Sequence, residues 1–330
     1  MLRKVMLGVV LTTLAVVPAA AQQIVIKFNS PSPPRSYLHT NVFDKWIAAI
    51  EKDSGGTLKI EKFYGGILGN FAITYDRVVD GVADAGWTLS ALTGGRFKQQ
   101  DVAALPFETK DANEPALALW QIYNKGVTAK EFEQVKLLGF WAFPNAALHS
   151  RDPIRTLDEL KGKKITVSNA NSARTAVLLG GTPVTMRPDE VYQALSRGIA
   201  DVSMMPFNGM QTFKLDEVAK QHLDIALGGD TSIVFMNKKS YDKLPPQGKA
   251  AIDKHSGLAL SRLAGQATQN EWERARNNVR PRVSTLSSEQ EPLWKAALHP
   301  IAKEWAQGVP DGAKVLEAFR AEVAAMRSGK

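Results

Sequence analysis

The chain contains no cysteine in 330 residues. Disulfide staples, thiolate metal sites and thiol nucleophiles are therefore excluded, and stability must come from core burial. Concentrated charge of one sign is missing too. The formal net charge is +8, but the basic residues are scattered, and the closest cluster, Lys161, Lys163 and Lys164, reads as a solvated turn. Binding phosphates needs a dense basic stripe, so a nucleic-acid partner is not expected. Beyond the first residues, no apolar run is long enough to span a bilayer.

Catalytic signatures are also lacking. There is no G-x-S-x-G elbow, P-loop, H-E-x-x-H or G-x-G-x-x-G. The five histidines (His39, His149, His222, His255, His299) lie far apart, and none has metal-ligand spacing. Each reads as a surface or capping histidine. No catalytic residue, metal site or cofactor is expected.

What is present begins with a short positive segment, Arg3 and Lys4, before an apolar run over residues 5–17. Pro18 breaks the run, and Ala19-Ala20-Ala21 fits an A-x-A cleavage site before Gln22. The run is shorter than the roughly 20 residues a membrane helix needs, so residues 1–21 read as a secretory signal peptide cleaved after Ala21. The expected product is a soluble periplasmic protein without stable membrane insertion, and without cysteine it carries no lipoprotein anchor. Cleavage leaves 309 residues with a net charge of +6, a length that suits two domains.

Strands and amphipathic helices alternate along that remainder. Residues 24–28 (IVIKF) are β-branched and run into the turn Asn29-Ser30-Pro31. Phe43, Trp46, Ile47 and Ile50 have the spacing of a helix with one buried face, stopped by Gly55-Gly56. Residues 58–63 alternate as a second strand, and a helix near 76–82 with a strand at 83–88 repeats the unit. Such a rhythm predicts a mostly parallel sheet covered by helices. A second cycle starts with the continuous apolar run 135–143 (VKLLGFWAF), followed by strands at 165–167 and 183–186. Pro188 suits the start of a helix whose Val191, Tyr192 and Leu195 face a core, and Gly198 suits its end. Residues 247–279 are helical in character, and Ser288 with Glu291 has capping-box spacing ahead of Trp294, Ala297, Ile301 and Trp305.

Several motifs occur in a familiar order. In the first half they are Gly65-Gly66-Ile67-Leu68-Gly69, Asp80-Gly81-Val82-Ala83-Asp84-Ala85-Gly86 and Leu105-Pro106-Phe107. In the second they are Pro153-Ile154, Leu157-Asp158-Glu159-Leu160-Lys161-Gly162, Lys164-Ile165 and Gly180-Gly181-Thr182-Pro183-Val184. Glu190-Val191-Tyr192-Gln193-Ala194-Leu195, Gly198-Ile199-Ala200-Asp201 and Glu217-Val218-Ala219-Lys220 follow. Over roughly residues 24–225 this layout resembles the DctP family of solute-binding proteins that serve TRAP (tripartite ATP-independent periplasmic) transporters. The C-terminal part fits only in its helical character.

The resemblance implies an α/β, two-lobed periplasmic-binding-protein fold, type II-like, each lobe a β-sheet flanked by helices, with one long helix spanning both. Residues 22–143 with about 229–265 would form lobe I, and 144–228 with about 266–330 lobe II. An organic acid would be held in the interlobe cleft and delivered to a TRAP membrane permease.

The family's carboxylate-binding arginine falls on Thr166, and other commonly polar or charged positions fall on Phe71, Leu89, Ala146 and Met205. Only Asn29 keeps its polar type. A buried arginine without its carboxylate would be an unpaired charge, so losing both together is coherent. The expected pocket is more apolar than usual, suited to an aromatic or branched acid or a neutral compound. Trp87, Trp141, Phe143 and Phe207 could line an aromatic slot, with Thr88, Asn208 and Arg35 as polar neighbours. The loop Ser168-Asn169-Ala170-Asn171 precedes a helix whose free N–H groups suit an anion, and Arg174 in its first turn could replace the lost charge. Ordinary solvation of Arg174 is the competing reading. A periplasmic enzyme or a ligand-sensing subunit on the same fold are the alternatives for function.

Overall fold

The computed structural model describes residues 23–328. The signal-peptide reading of residues 1–21 falls outside that range.

Alternation shapes the first unit. In β1 (Ile24–Ser30), Ile26 and Phe28 are buried while Val25 and Lys27 face outward. It pairs in parallel with β2 (Leu58–Tyr64), from Ile24 opposite Leu58 to Ser30 opposite Tyr64. The helix Asp44–Asp53 covers these strands with Trp46, Ile47 and Ile50, the spacing read from the sequence. β3 (Ala85–Leu89) and β4 (Val135–Ala142) belong to the same sheet.

The second lobe contributes β5 (Ala147–Ser150), β6 (Lys164–Val167), β7 (Thr182–Thr185), β8 (Val202–Met205) and β9 (Gln221–Asp224). The chain then returns to the first lobe as β10 (Thr231–Asn237), and β11 (Val283–Thr285) completes the second sheet. The strand orders are β2-β1-β3-β10-β4 and β11-β9-β5-β8-β6-β7. Each sheet is mixed rather than mostly parallel. β10 runs antiparallel to β3 and β4, and β5 runs antiparallel to β8 and β9. All seven residues of β10 are buried, so it has no alternation to betray it in the sequence.

Two crossing segments, residues 143–146 and 225–230, join the lobes side by side. Phe143 N donates to Asp230 O at 2.8 Å, and Ala146 N donates to Gly228 O. Gly228 has φ +80°, and a Cβ there would stand 2.0 Å from the Ala104 carbonyl oxygen, so only glycine fits. The helix Leu258–Asn278 spans both lobes. It packs on β4 and on the helix Asn113–Asn124 of the first lobe, and on the helix Phe207–Thr212 of the second. Ser261 Oγ accepts from Phe140 N at 3.0 Å, fixing it to β4.

The helical stretch read at 247–279 is interrupted. Pro246–His255 and Leu258–Asn278 are separate helices, divided at Gly257, whose φ is +64° and whose N–H donates to Leu138 O. The capping box at Ser288 is not formed. Ser287 supplies Oγ to Gln290 N at 3.3 Å, and Pro300 separates the helices Gln290–Leu298 and Ile301–Gly308. The last helix, Gly312–Arg327, rests on the first lobe, with Arg320 bonded to Glu108 and Arg327 to Glu114. The sequence-based expectation groups about 266–330 with the second lobe, and this last helix is the part that packs differently.

The histidines also differ from expectation. His39, His149 and His222 are buried. His149 Nε2–H donates to Met205 O at 2.8 Å, which leaves its Nδ1 to accept from His222 Nδ1–H at 2.9 Å. Burial holds both rings neutral, bringing His149 down to about 4 and His222 to about 3.

Candidate interlobe ligand site

The carboxyl ends of the strands meet where the lobes face each other, and a cavity of about 40 Å³ lies there. Open α/β sheets place ligands at such strand ends. Ser32, Ser36, Tyr37 and Leu38 come from the loop after β1, Phe71 follows β2, and Trp87 and Leu89 come from β3. Met205, Asn208, Gly209, Thr212 and Phe213 form the opposite wall, from the end of β8 and its following helix. Phe143 and Asp230, both from crossing segments, close the side.

The aromatic wall is braced from behind. Phe71 stands edge-on to Trp87, with ring centroids 5.5 Å apart and planes at 87°. Thr88 Oγ1 donates to Phe71 O at 2.6 Å, and Trp87 Nε1 donates to Ser30 Oγ at 2.8 Å. A buried indole N–H needs such an acceptor. Asn29 donates to Gly69 O and Thr74 Oγ1, both at 2.9 Å, and accepts from Leu68 N. Asn29 and Thr88 therefore fix the loop carrying Phe71 and do not line the cavity.

Polar groups are few. Asn208 is fully buried, and its Nδ2 donates to the Tyr37 hydroxyl at 3.1 Å across the lobe boundary. Tyr37 in turn donates to Thr268 Oγ1 at 3.1 Å on the spanning helix. The Asn208 Oδ1 has no partner. Asp230 accepts from Ser168 Oγ at 2.7 Å and from Asn169 Nδ2 at 2.7 Å. Burial pushes the Asp230 carboxyl up from its ordinary range, and those two bonds oppose the rise. Asn169 also caps the helix Ala170–Leu178, its Oδ1 accepting from Ser172 N at 2.7 Å. Ser168 and Asn169 thus reach the site through Asp230. At the rim, Arg35 Nη2 donates to Thr212 O at 3.1 Å and joins the lobes. Among the described residues, no lysine or arginine lines the cavity.

Five of the sequence-derived candidates stand elsewhere. Thr166 is buried in the middle of β6, opposite Val184 and Ser203, and Ala146 is buried in a crossing segment. Phe207 packs against His149 and Trp272, with centroids at 5.2 and 5.7 Å, inside the second lobe. Arg174 is exposed, bonded through Nε and Nη2 to Glu304 at 2.7 and 2.8 Å. Trp141 lies in the first lobe's core with Trp87. The sequence brought Phe71, Trp87, Leu89, Phe143, Met205 and Asn208 to notice, and these converge. It missed Tyr37 and Asp230. The Pro-rich loop after β1 was a signal for the first, and the unrecognised β10 hid the second.

A larger groove of about 430 Å³ lies on the second lobe among Arg151, Asp158, Lys161 and Asp201. Its charges already answer each other, Lys161 with Asp158 at 2.7 Å and Asp201 with Lys164 N at 2.8 Å. Among the described residues, no group of His, Cys, Asp and Glu could hold a metal, and no helix is long and apolar enough to cross a membrane.

Known proteins share this architecture. The C4-dicarboxylate-binding periplasmic protein DctP of Rhodobacter capsulatus is 26% identical over 328 residues, covering 93% of each chain. The crystal structure of a TRAP solute-binding protein from Rhodoferax ferrireducens, in complex with copurified benzoate, is 27% identical with a TM-score of 0.87, covering 93% of this chain and 99% of that one. A marine-metagenome TRAP solute-binding protein specific for aromatic acid ligands, crystallised with 3-hydroxybenzoate, is 28% identical with a TM-score of 0.87, covering 92% and 98%. Residues 28–308 match the family described as bacterial extracellular solute-binding protein, family 7, also called DctP. With two sheets joined by crossing segments, a spanning helix and a cavity between the lobes, the chain belongs to that family of TRAP solute-binding proteins.

Proposed function

We propose that this protein is the periplasmic receptor of a TRAP transporter for an aromatic carboxylic acid, which it delivers to its membrane permease. The observation that carries the reading is the wall of Phe71, Trp87, Leu89, Phe143 and Met205, with no lysine or arginine among the described residues lining the cavity. Similar structures hold benzoate and 3-hydroxybenzoate. Burying a ring-sized group contributes about 1.5–3 kcal/mol, comparable with a charge-assisted hydrogen bond of about 1.5–3 kcal/mol. Apolar contact can thus replace the grip that an arginine would give a small dicarboxylate.

Lobe closure supplies the rest. Moving an open-to-closed ratio from 1:99 to 99:1 needs about 5.5 kcal/mol of differential affinity. A ring touching Phe71 and Trp87 on one lobe and Met205 on the other makes those contacts together only when the lobes close. The cavity is smaller than the roughly 150 Å³ that accommodates benzene in an engineered core, so entry requires the lobes to part or Met205 to move. We take residues 22–143 and about 229–265, with the last helix, as one lobe, and 144–228 as the heart of the other. Receptor action, rather than catalysis, fits a wall without a nucleophile–base pair. The signal peptide read at residues 1–21 supports export to the periplasm.

A thermal-shift screen tests the reading with benzoate-type acids, aliphatic monocarboxylates and C4 dicarboxylates. Aromatic acids should raise the melting temperature most. A shift with dicarboxylates alone would sink the proposal.

A further inference from the structure

Resting on the aromatic-acid reading, we infer that the ligand carries a hydroxyl group on or next to its ring, and that Asn208 selects for it. The polar atoms of the cavity are distributed unevenly. On the second-lobe side and the crossing segment stand two residues with acceptor oxygens, Asn208 and Asp230. Asn208 is fully buried, and its Nδ2 is committed to the Tyr37 hydroxyl, itself bonded to Thr268. Its Oδ1 is buried without a partner, and Asn208 is one of the residues lining the cavity.

An unsatisfied buried acceptor costs about 1–3 kcal/mol, and a ligand that donates to it recovers that cost. A ligand offering only another acceptor meets repulsion there. Sites built to bond a substrate hydroxyl reject analogues lacking it far more strongly than apolar pockets reject a missing methylene.

The same asymmetry orients the ligand. Its carboxylate is drawn to the first-lobe wall, where Ser32 and Ser36 line the cavity and Arg35 bonds the cavity-lining Thr212. Ser36 Oγ accepts from Leu38 N, which leaves its own proton free to donate. The hydroxyl then points to Asn208. Because Asn208 also bridges to Tyr37 on the other lobe, the residue that reads the hydroxyl is one that holds the lobes together.

Calorimetric titration of the unmodified mature protein with benzoate, 3-hydroxybenzoate, 4-hydroxybenzoate and 3-methoxybenzoate tests this directly. At least one hydroxy acid should bind tenfold or more tighter than benzoate, and the methoxy acid, which accepts but cannot donate, no tighter than benzoate. Equal affinities across the series, or a methoxy acid as tight as the hydroxy acids, overturn the inference while leaving the aromatic-acid reading standing. Binding of none of the four overturns both. Asn208→Leu assigns the residue: the ratio of hydroxy-acid to benzoate affinity should shrink below threefold, whatever the benzoate affinity itself does, and Tyr37→Phe, which removes the bridge and leaves the amide in place, should retain that ratio. An undiminished advantage in a folded Asn208→Leu protein overturns the assignment, and if that variant does not fold, Asn208→Asp serves. It keeps an acceptor and should keep the preference; its loss there overturns the assignment as well.

Discussion

Arg174 and Glu304 form a two-point bond, Nε and Nη2 to the carboxylate at 2.7 and 2.8 Å, with both side chains well exposed to solvent. The helix Ala170–Leu178 turns this arginine away from the cavity toward the helix Ile301–Gly308. Exposed ion pairs contribute little. Arg174→Ala should therefore leave ligand affinity within about twofold, measured by calorimetry. A tenfold loss would make Arg174 a ligand contact.

Thr166 is buried on β6, between β8 and the edge strand β7, and installing the arginine that the family resemblance implies here would bury a charge between Val184 and Ser203. Without a partner such a charge costs roughly 3–5 kcal/mol. Thr166→Arg should lower unfolding stability by about that amount in urea titration and weaken binding of aromatic acids. Unchanged stability would mean that the side chain finds the cleft and a partner there.

The His149–His222 pair makes stability depend on pH. Above the ordinary imidazole value of 6.5 both rings are neutral whether folded or unfolded. Below it the unfolded chain takes up protons that the buried rings refuse, until about 4 for His149 and about 3 for His222. Stability attributable to the pair is thus complete above pH 6.5 and is lost as pH falls toward 4. The slope is at most about 1.4 kcal/mol per pH unit for each ring. His222→Asn keeps a donor for His149 Nδ1 and removes one titrating group, so its stability should fall less steeply over that window. Parallel pH profiles for the two proteins would refute the account.

Gly228 tests the crossing segments. Alanine at φ +80° with its Cβ 2.0 Å from Ala104 O cannot be seated without moving the 225–230 segment. Gly228→Ala should cost about 2 kcal/mol or more and weaken ligand binding, because the lobes would be misaligned. Stability equal to the parent protein would show that the segment adapts.

Asn169 both caps a helix and bonds Asp230. Asn169→Ala should destabilise the protein by about 1–3 kcal/mol, combining a lost cap with a buried carboxylate left short of a donor. Asn169→Asp keeps the capping acceptor but removes the Nδ2 donor to Asp230, so it should recover at most the capping share of the loss.

The first lobe's outline was legible because its strands β1 and β2 and the helix Asp44–Asp53 each have one buried face, and a one-sided pattern shows in the order of residues. Motif order further indicated the family, since turns such as Gly65-Gly66 and Gly198 need positive φ values that few residues adopt. The antiparallel β10 was illegible for the opposite reason. Buried on both faces, it carries no period, and its partners β3 and β4 lie far away in the chain.

The site divides the same way. By itself the sequence determined the alternating α/β pattern and the motif order, and the resemblance these carry put Phe71, Leu89, Ala146, Thr166 and Met205 at positions commonly polar or charged. Tertiary structure decided which of those positions face the interlobe cavity: Phe71, Leu89 and Met205 line it, while Thr166 and Ala146 are enclosed in the protein. It also brought in Tyr37, Asp230 and the unpaired Oδ1 of Asn208. Residue type fixes what a side chain can bond, but its partners and its outlook depend on packing between segments as distant as Tyr37 and Thr268. Only folding the lobes together sets those distances.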